Sequence, residues 1–191
     1  MQENFTAFRG QRRLASGPVA EVALAVKRAQ AQPGEPILIF DDASGRAVDF
    51  DLRGEEDEVL ARLARPDTAQ EPGAPRGRGR PKLGVMAREV TLLPRHWEWL
   101  NAQAGGASVA LRKLVEEARR AHGERDRARQ ARDAAHHFMS AMAGNLVHFE
   151  EAARALFSED RRRFEGLIAD WPADIREHAA SLAYGERAKV L

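Results

Sequence analysis

The chain has 191 residues and a mass of 21.2 kDa, enough for one ordinary domain or two to three small ones. Its 43% hydrophobic fraction can fill a core, while 31% charged residues and a mean hydropathy of -0.51 call for a large solvated surface. The lack of cysteine excludes disulfides and thiolate metal sites and suits a reducing cytoplasm. No apolar run approaches the ~20 residues of a membrane span, and "MQENFTAFRG" lacks the basic-then-apolar order of a signal peptide. The expectation is a soluble, cytoplasmic protein.

In chain order, "FTAF" (Phe5–Phe8) reads as a short strand. "SGPVAEVALAVKRAQ" reads as a helix, with Gly17 as N-cap, Pro18 in the first turn and Val19, Val22 and Val26 on one stripe. "ILIF" (Ile37–Phe40) is a continuous apolar run suited to a central strand. "AVDFDL" alternates Val48, Phe50 and Leu52 inward with Asp49 and Asp51 outward, the second strand of a hairpin. "EEDEVLARLAR" is a short helix with acids in its first turn and arginines in its last, matching the helix dipole.

From Pro66 to Gly84 the periodic apolar pattern stops, so this stretch reads as a flexible linker. "REVTLL" then suggests a strand, Pro94 opens the helix "PRHWEWLNAQ", "AGGAS" turns the chain, and a second helix begins after Ser108. That helix runs into a charged stretch with a thin seam at Ala128, Ala131, Ala135 and Phe138, a long helix or weak coiled coil that Gly123 can interrupt. Phe138, Met142, Leu146, Phe149, Ala153 and Leu156 continue as one amphipathic stripe. Ser158 is placed to cap a helix carrying Phe164, Leu167, Ile168 and Trp171, and Pro172 starts a last helix that ends at Gly185. The expected fold class is α+β and mostly helical, in four parts. Residues 1–65 form a small strand-helix-hairpin domain, 66–84 a basic linker, 85–122 a strand-helix-helix segment, and 123–191 a helical C-terminal region.

The net charge of +1 hides a segregation. Residues 1–72 hold 9 Lys+Arg against 13 Asp+Glu, residues 73–132 hold 14 against 6, and residues 133–191 hold 7 against 10. A basic middle between acidic flanks points to a polyanionic partner. Catalytic patterns are missing: there is no Gly-x-Ser-x-Gly, no phosphate-binding Gly-rich loop followed by Lys-Ser/Thr, and no His-Glu-x-x-His. His136 and His137 are adjacent, so on a helix they point about 100° apart and do not converge on an ion. Asp41, Asp42, Asp49 and Asp51 read as a turn and a solvated strand face. No enzyme, metal site or cofactor is expected.

"PRGRGRPKLG" (Pro75–Gly84) carries four cations and no acid. Glycine has no Cβ to hold the backbone off a groove floor, and proline sets an extended exit. Two arginines can then run in opposite directions along a narrow A·T groove. Arg78-Gly79-Arg80-Pro81-Lys82 resembles the AT-hook, a minor-groove motif, which implies contacts from Arg76, Gly77, Arg78, Gly79, Arg80, Pro81 and Lys82 to A·T-rich DNA. A plain tether and an RNA contact are the other readings of the same residues. "REVTLLPRHWEWLNAQAGGASVALRKLVEEARR" resembles a ribbon-helix-helix module on Leu93-Pro94, Trp97, Gly106 and Ser108. That resemblance implies a homodimer through residues 88–120, with paired strands in a major groove and base-facing positions at Arg88, Val90 and Leu92, two of them apolar. Arg112 and Lys113, on the basic helix, join Arg88 as candidate DNA contacts. A local strand and helical hairpin in a monomer is the alternative.

Over nearly its full length the chain resembles a bacterial family of uncharacterised proteins, the domain of unknown function numbered twenty-two thirty-nine. The match runs through "FRGQRRLASGPVAEVALAVKRA", "ILIFDDASGRAVDFDLRG", "GRPKLGVMAREVTLLPRHWEWL" and "FEGLIADWPADIREHA", and it implies no activity. The functional expectation is a non-enzymatic DNA-binding protein, regulatory or nucleoid-associated. The rival is a protein-interaction adaptor with the basic segment as a tether. What separates them is whether the cations from Arg112 to Arg129 share one face or are neutralised by Glu116, Glu117, Glu124 and Asp126.

Overall fold

The computed structural model of the chain describes residues 4–64 and 88–185. β1 (Asn4–Arg9) and β2 (Arg12–Pro18) form an antiparallel hairpin, α1 (Val19–Gln30) follows, and β3 (Ile37–Asp41) and β4 (Ala47–Val48) complete an antiparallel sheet in the order β2-β1-β3-β4. α2 (Glu56–Leu63) comes next. α3 (Pro94–Asn101), α4 (Gly106–Met142), α5 (Phe149–Phe157), α6 (Arg161–Leu167) and α7 (Ala173–Tyr184) make up the remainder. The observed class is α+β and mostly helical, a small antiparallel sheet followed by helices.

The larger of two compact units combines residues up to Pro66 with those from Arg125 onward. Successive side chains of a strand face opposite sides of a sheet, and β1 and β3 use both sides. Phe5, Ala7 and Ile39 pack with Val22 and Val26 of α1. Phe8 and Phe40 turn the other way, into a cluster with Phe138, Met139, Leu156, Phe164 and Ile175 from the C-terminal helices. Within the apolar run of β3, Ile39 and Phe40 are thus buried on opposite faces, while Leu38 stays 41% exposed. Phe138 closes the junction, its ring 5.0 Å from Phe40 and 5.3 Å from Phe8. The described residues before Pro66 and those from Arg125 onward, expected to fall in the separate domains 1–65 and 123–191, therefore share one core.

The β3–β4 turn is fitted against α4. Gly45 has φ 65°, and a Cβ there would stand 1.8 Å from the Ala134 carbonyl oxygen. His137 Nδ1 lies 3.0 Å from the Ser44 carbonyl oxygen, tying the same turn to the helix. Only a residue without a side chain lets the two backbones meet this closely.

Several local expectations are corrected. "RRLASGP" is a strand the sequence pattern conceals: it has little alternation because it is an edge strand, pairing with β1 alone. Gly17 lies inside β2, so Pro18 and not Gly17 takes the N-cap position of α1. The second hairpin strand is only Ala47–Val48, although Phe50 and Leu52 still pack against the first cluster. Residues 88–93, expected as a strand, have no regular structure and no strand partner among the described residues. α4 starts at Gly106, before Ser108, and passes through Gly123 without a break for 37 residues. The stripe from Phe138 to Leu156 is divided by a loop between α4 and α5, where the Trp171 indole N–H donates to the Val147 carbonyl at 2.9 Å. Ser158 closes α5, and Asp160 caps α6 by accepting from the Arg163 backbone N–H. Trp171 falls outside α6 but stays buried beside it. α7 ends where expected, on the left-handed Gly185.

In the smaller unit, Asp67 to Glu124, the described residues form a helical hairpin of α3 and the first half of α4. Gly105 and Gly106, with φ of 88° and 72°, make the turn between them. Among its described residues only Leu100 and Ala110 are buried hydrophobics, while Leu93, Trp97, Trp99, Leu114 and Val115 are exposed.

Candidate nucleic-acid interface

Arg76, Gly77, Arg78, Gly79, Arg80, Pro81 and Lys82 lie outside the described residues. So does the whole expected linker. Of the remaining candidates, Arg88 is exposed ahead of α3, and Arg112 and Lys113 are exposed on α4.

α4 settles how its charges are arranged. Between Arg112 and Arg129 seven Lys and Arg face four acids. At 100° per residue, Arg112, Lys113, Arg119, Arg120 and Arg127 fall within an arc of about 120°. Arg125 and Arg129 lie on other sides. Neutralisation is partial: Glu116 Oε atoms lie 3.6 Å from both Arg119 and Arg120, so one acid serves two cations, and Asp126 pairs with Arg129 at 3.0 Å. All three arginines keep more than 60% of their side-chain surface in solvent, so these pairs are weak and leave the guanidinium groups accessible. The arc is basic, exposed and spans roughly four turns of helix.

The apolar residues of the same helix occupy the opposite side. Leu111, Leu114, Ala118 and Ala121 lie about 180° from the centre of the cationic arc. Beside them, a recess of about 280 Å³ is lined by Leu92, Arg95, His96, Trp99, Leu111 and Leu114. Exposed Trp99 also borders a second recess of about 210 Å³, shared with Gln103 and Lys113.

The acids and histidines singled out in the sequence serve structure. Asp41 accepts from the Ala43 backbone N–H and the Ser44 hydroxyl within the β3–β4 turn. Asp51 accepts from the Arg53 guanidinium at 2.9 Å, which holds its carboxyl far below the usual carboxylate range. His136 stacks on Phe149, whereas His137 faces Ser44, so the adjacent pair diverges as helix geometry requires. Among the described residues no three His, Asp or Glu side chains converge as a metal site would need. No helix is long and apolar enough to cross a membrane.

One polar cluster corrects the reading of Asp42 as a solvated turn acid: its side chain is partly buried. Thr6, fully buried on β1, donates to Asp42 Oδ2 at 3.1 Å and lies 2.9 Å from the Ser16 hydroxyl. The other oxygen, Asp42 Oδ1, sits 3.5 Å from His178 Nε2 of α7. Burial pushes the His178 pKa down to about 4, with Arg13 adding to the effect, and the same burial raises Asp42. At neutral pH His178 is therefore neutral, and the contact is a polar one rather than an ion pair. The Phe8 and Phe138 rings close over His178 at 5.5 and 4.6 Å. The residues are 172 positions apart from first to last, which is why no local pattern reveals them.

A family described as an uncharacterized protein conserved in bacteria (DUF2239) matches residues 4–183. No curated protein and no solved structure matches the chain.

Proposed function

The chain belongs to that family of uncharacterised bacterial proteins, and from this premise we propose that it is a non-enzymatic DNA-binding protein, regulatory or nucleoid-associated. The observation that carries the reading is the exposed basic arc on α4, formed by Arg112, Lys113, Arg119, Arg120 and Arg127. It is joined in sequence to the Arg78-Gly79-Arg80-Pro81-Lys82 segment. A row of cations at helical spacing suits the phosphates of a duplex and confers affinity without sequence preference. Preference for A·T-rich DNA then falls to the two arginines of the segment, whose glycine spacer lets the backbone enter a narrow minor groove.

The test is a gel-shift series on A·T-rich duplex, G·C-rich duplex and structured RNA across a range of salt. Arg78→Ala with Arg80→Ala should weaken binding to A·T-rich duplex by about 2–6 kcal/mol, taking about 1–3 kcal/mol for each arginine. Lys82→Ala should act on all sequences alike and lower the salt slope by about one. Gly79→Val loses no charge and should still weaken A·T binding strongly. Wild-type affinity in Gly79→Val would reduce the segment to a basic tether, and tightest binding to RNA would redirect the proposal to that polymer. No binding to any of the three would leave the adaptor reading.

A further inference from the structure

We infer that α4 pairs in parallel and in register with α4 of a second copy of this chain, along the side opposite its basic arc. From Arg112 to Gln130 the helix has no buried residue, a stretch of about 30 Å at 1.5 Å per residue. In proteins most of a helix's stability comes from packing an apolar face, and this stretch packs none. Its exposed ion pairs, Glu116 with Arg119 and Arg120 and Asp126 with Arg129, are individually too weak to replace one. Written as heptads from Leu111, the a and d positions are Leu111, Leu114, Ala118, Ala121, Arg125 and Ala128. Leu114 is 43% exposed and Val115, next to it at e, is 56% exposed. Leu111 and Leu114 also line the apolar recess under Trp99, so a partner along this seam covers the recess too.

Charge selects the occupant and its direction. The g positions Glu117 and Glu124 are acidic, and the e positions five residues later are His122 and Arg129. In a parallel in-register pair, g of one helix meets e of the next heptad on the other. Glu117 then faces His122 of the second copy, and Glu124 faces Arg129. An antiparallel pair would instead set the g row against itself, acid on acid. The seam is thus complementary to a parallel copy of itself. Alanine at three of six seam positions lets the helices approach closely, and Arg125 at an a position fixes register at a cost in stability, as polar a residues do. The arrangement turns both basic arcs outward. It concerns pairing of the protein alone, so its failure and that of DNA binding are read separately.

The test uses the full chain without nucleic acid. Sedimentation equilibrium should give a dimer at tens of micromolar, and Leu114→Glu with Ala118→Glu should raise its dissociation constant at least ~10-fold. Because the chain has no cysteine, single cysteines report geometry cleanly. Ala118→Cys and Ala121→Cys should each cross-link two copies on oxidation, while Gln130→Cys, at an outward f position, should not. Glu117→Lys with Glu124→Lys should weaken the dimer, and adding His122→Glu and Arg129→Glu should restore it. A monomer at these concentrations, whether another protein or another part of the chain covers the seam, overturns the inference. So does a dimer indifferent to the seam and charge variants, or one cross-linked only through Gln130→Cys.

Discussion

The two units of this molecule solve the problem of burying apolar surface in opposite ways. The larger unit closes two clusters over the faces of one small sheet and leaves Phe8, Phe40, Phe138, Phe164 and Ile175 without solvent exposure. The helical hairpin of α3 and early α4 has comparable apolar residues, yet among its described residues it buries only Leu100 and Ala110. Composition does not separate them. The larger unit draws its core from segments distant in sequence, whereas two short helices have only one face each to offer. A hairpin of that size cannot enclose two tryptophans and three leucines by itself, which is what makes its surface available for partners.

Substitutions can break or sharpen this contrast. The largest effect is expected at Phe138→Ala, where three packed rings lose their shared neighbour; calorimetry should show about 3–5 kcal/mol of destabilisation. A much smaller loss would mean that the sheet and the C-terminal helices do not depend on one core. Next is the dependence on pH. The folded pKa of His178, about 4, lies below its ordinary value of 6.5, so the unfolded chain takes up this proton first and stability falls as pH drops from 6.5 towards 4. The loss is at most about 3 kcal/mol. Asp42, raised by burial, opposes it, because the folded state keeps the Asp42 proton to higher pH. His178→Gln should flatten the profile between those pH values, and Asp42→Asn should steepen it; an unchanged slope in His178→Gln would assign the pH dependence elsewhere.

Gly45→Ala should cost about 2 kcal/mol or more, combining left-handed backbone strain with a Cβ driven against the Ala134 carbonyl. Its denaturation midpoint, compared with that of Gly185→Ala, which shares a left-handed φ (69°) but where a Cβ meets nothing within 4 Å, isolates the close approach. The smallest effect is expected on α4: Glu116→Gln, which removes the shared partner of Arg119 and Arg120, should change stability by only a few tenths of a kcal/mol. A loss above about 1 kcal/mol would show that these surface charges hold the helix together.

What the sequence made legible follows the range of each interaction. Ile37–Phe40, Val19 to Val26 and the Gly185 stop were readable because periodicity and capping are local. β2 was not, since an edge strand whose outer backbone faces α7 needs little alternation. The shared core was hidden as well: Phe8 and Phe138 are 130 positions apart, and no pattern in either segment names the other. For the candidate interface, the charges of α4 were visible in the sequence and their helical continuity supplied the arc. The start of the opposing apolar side, Leu111, Leu114 and Ala118, was legible from its i, i+3, i+7 spacing; its continuation past Gly123 to Ala128 followed only once the helix proved unbroken.

The edges of the sheet carry a last consequence. An open strand edge is a template on which another chain can add a strand. β2 bears exposed Arg12 and Arg13 and ends in Pro18, and its register with β1 is interrupted beside Phe8. The Arg13 N–H, which would otherwise be offered outward, donates to Asp174 Oδ2 of α7 at 2.8 Å. At the far side β4 is two residues long, too short to guide an incoming strand. Growth by strand addition, the route by which small sheets turn into fibres, is therefore obstructed at both margins.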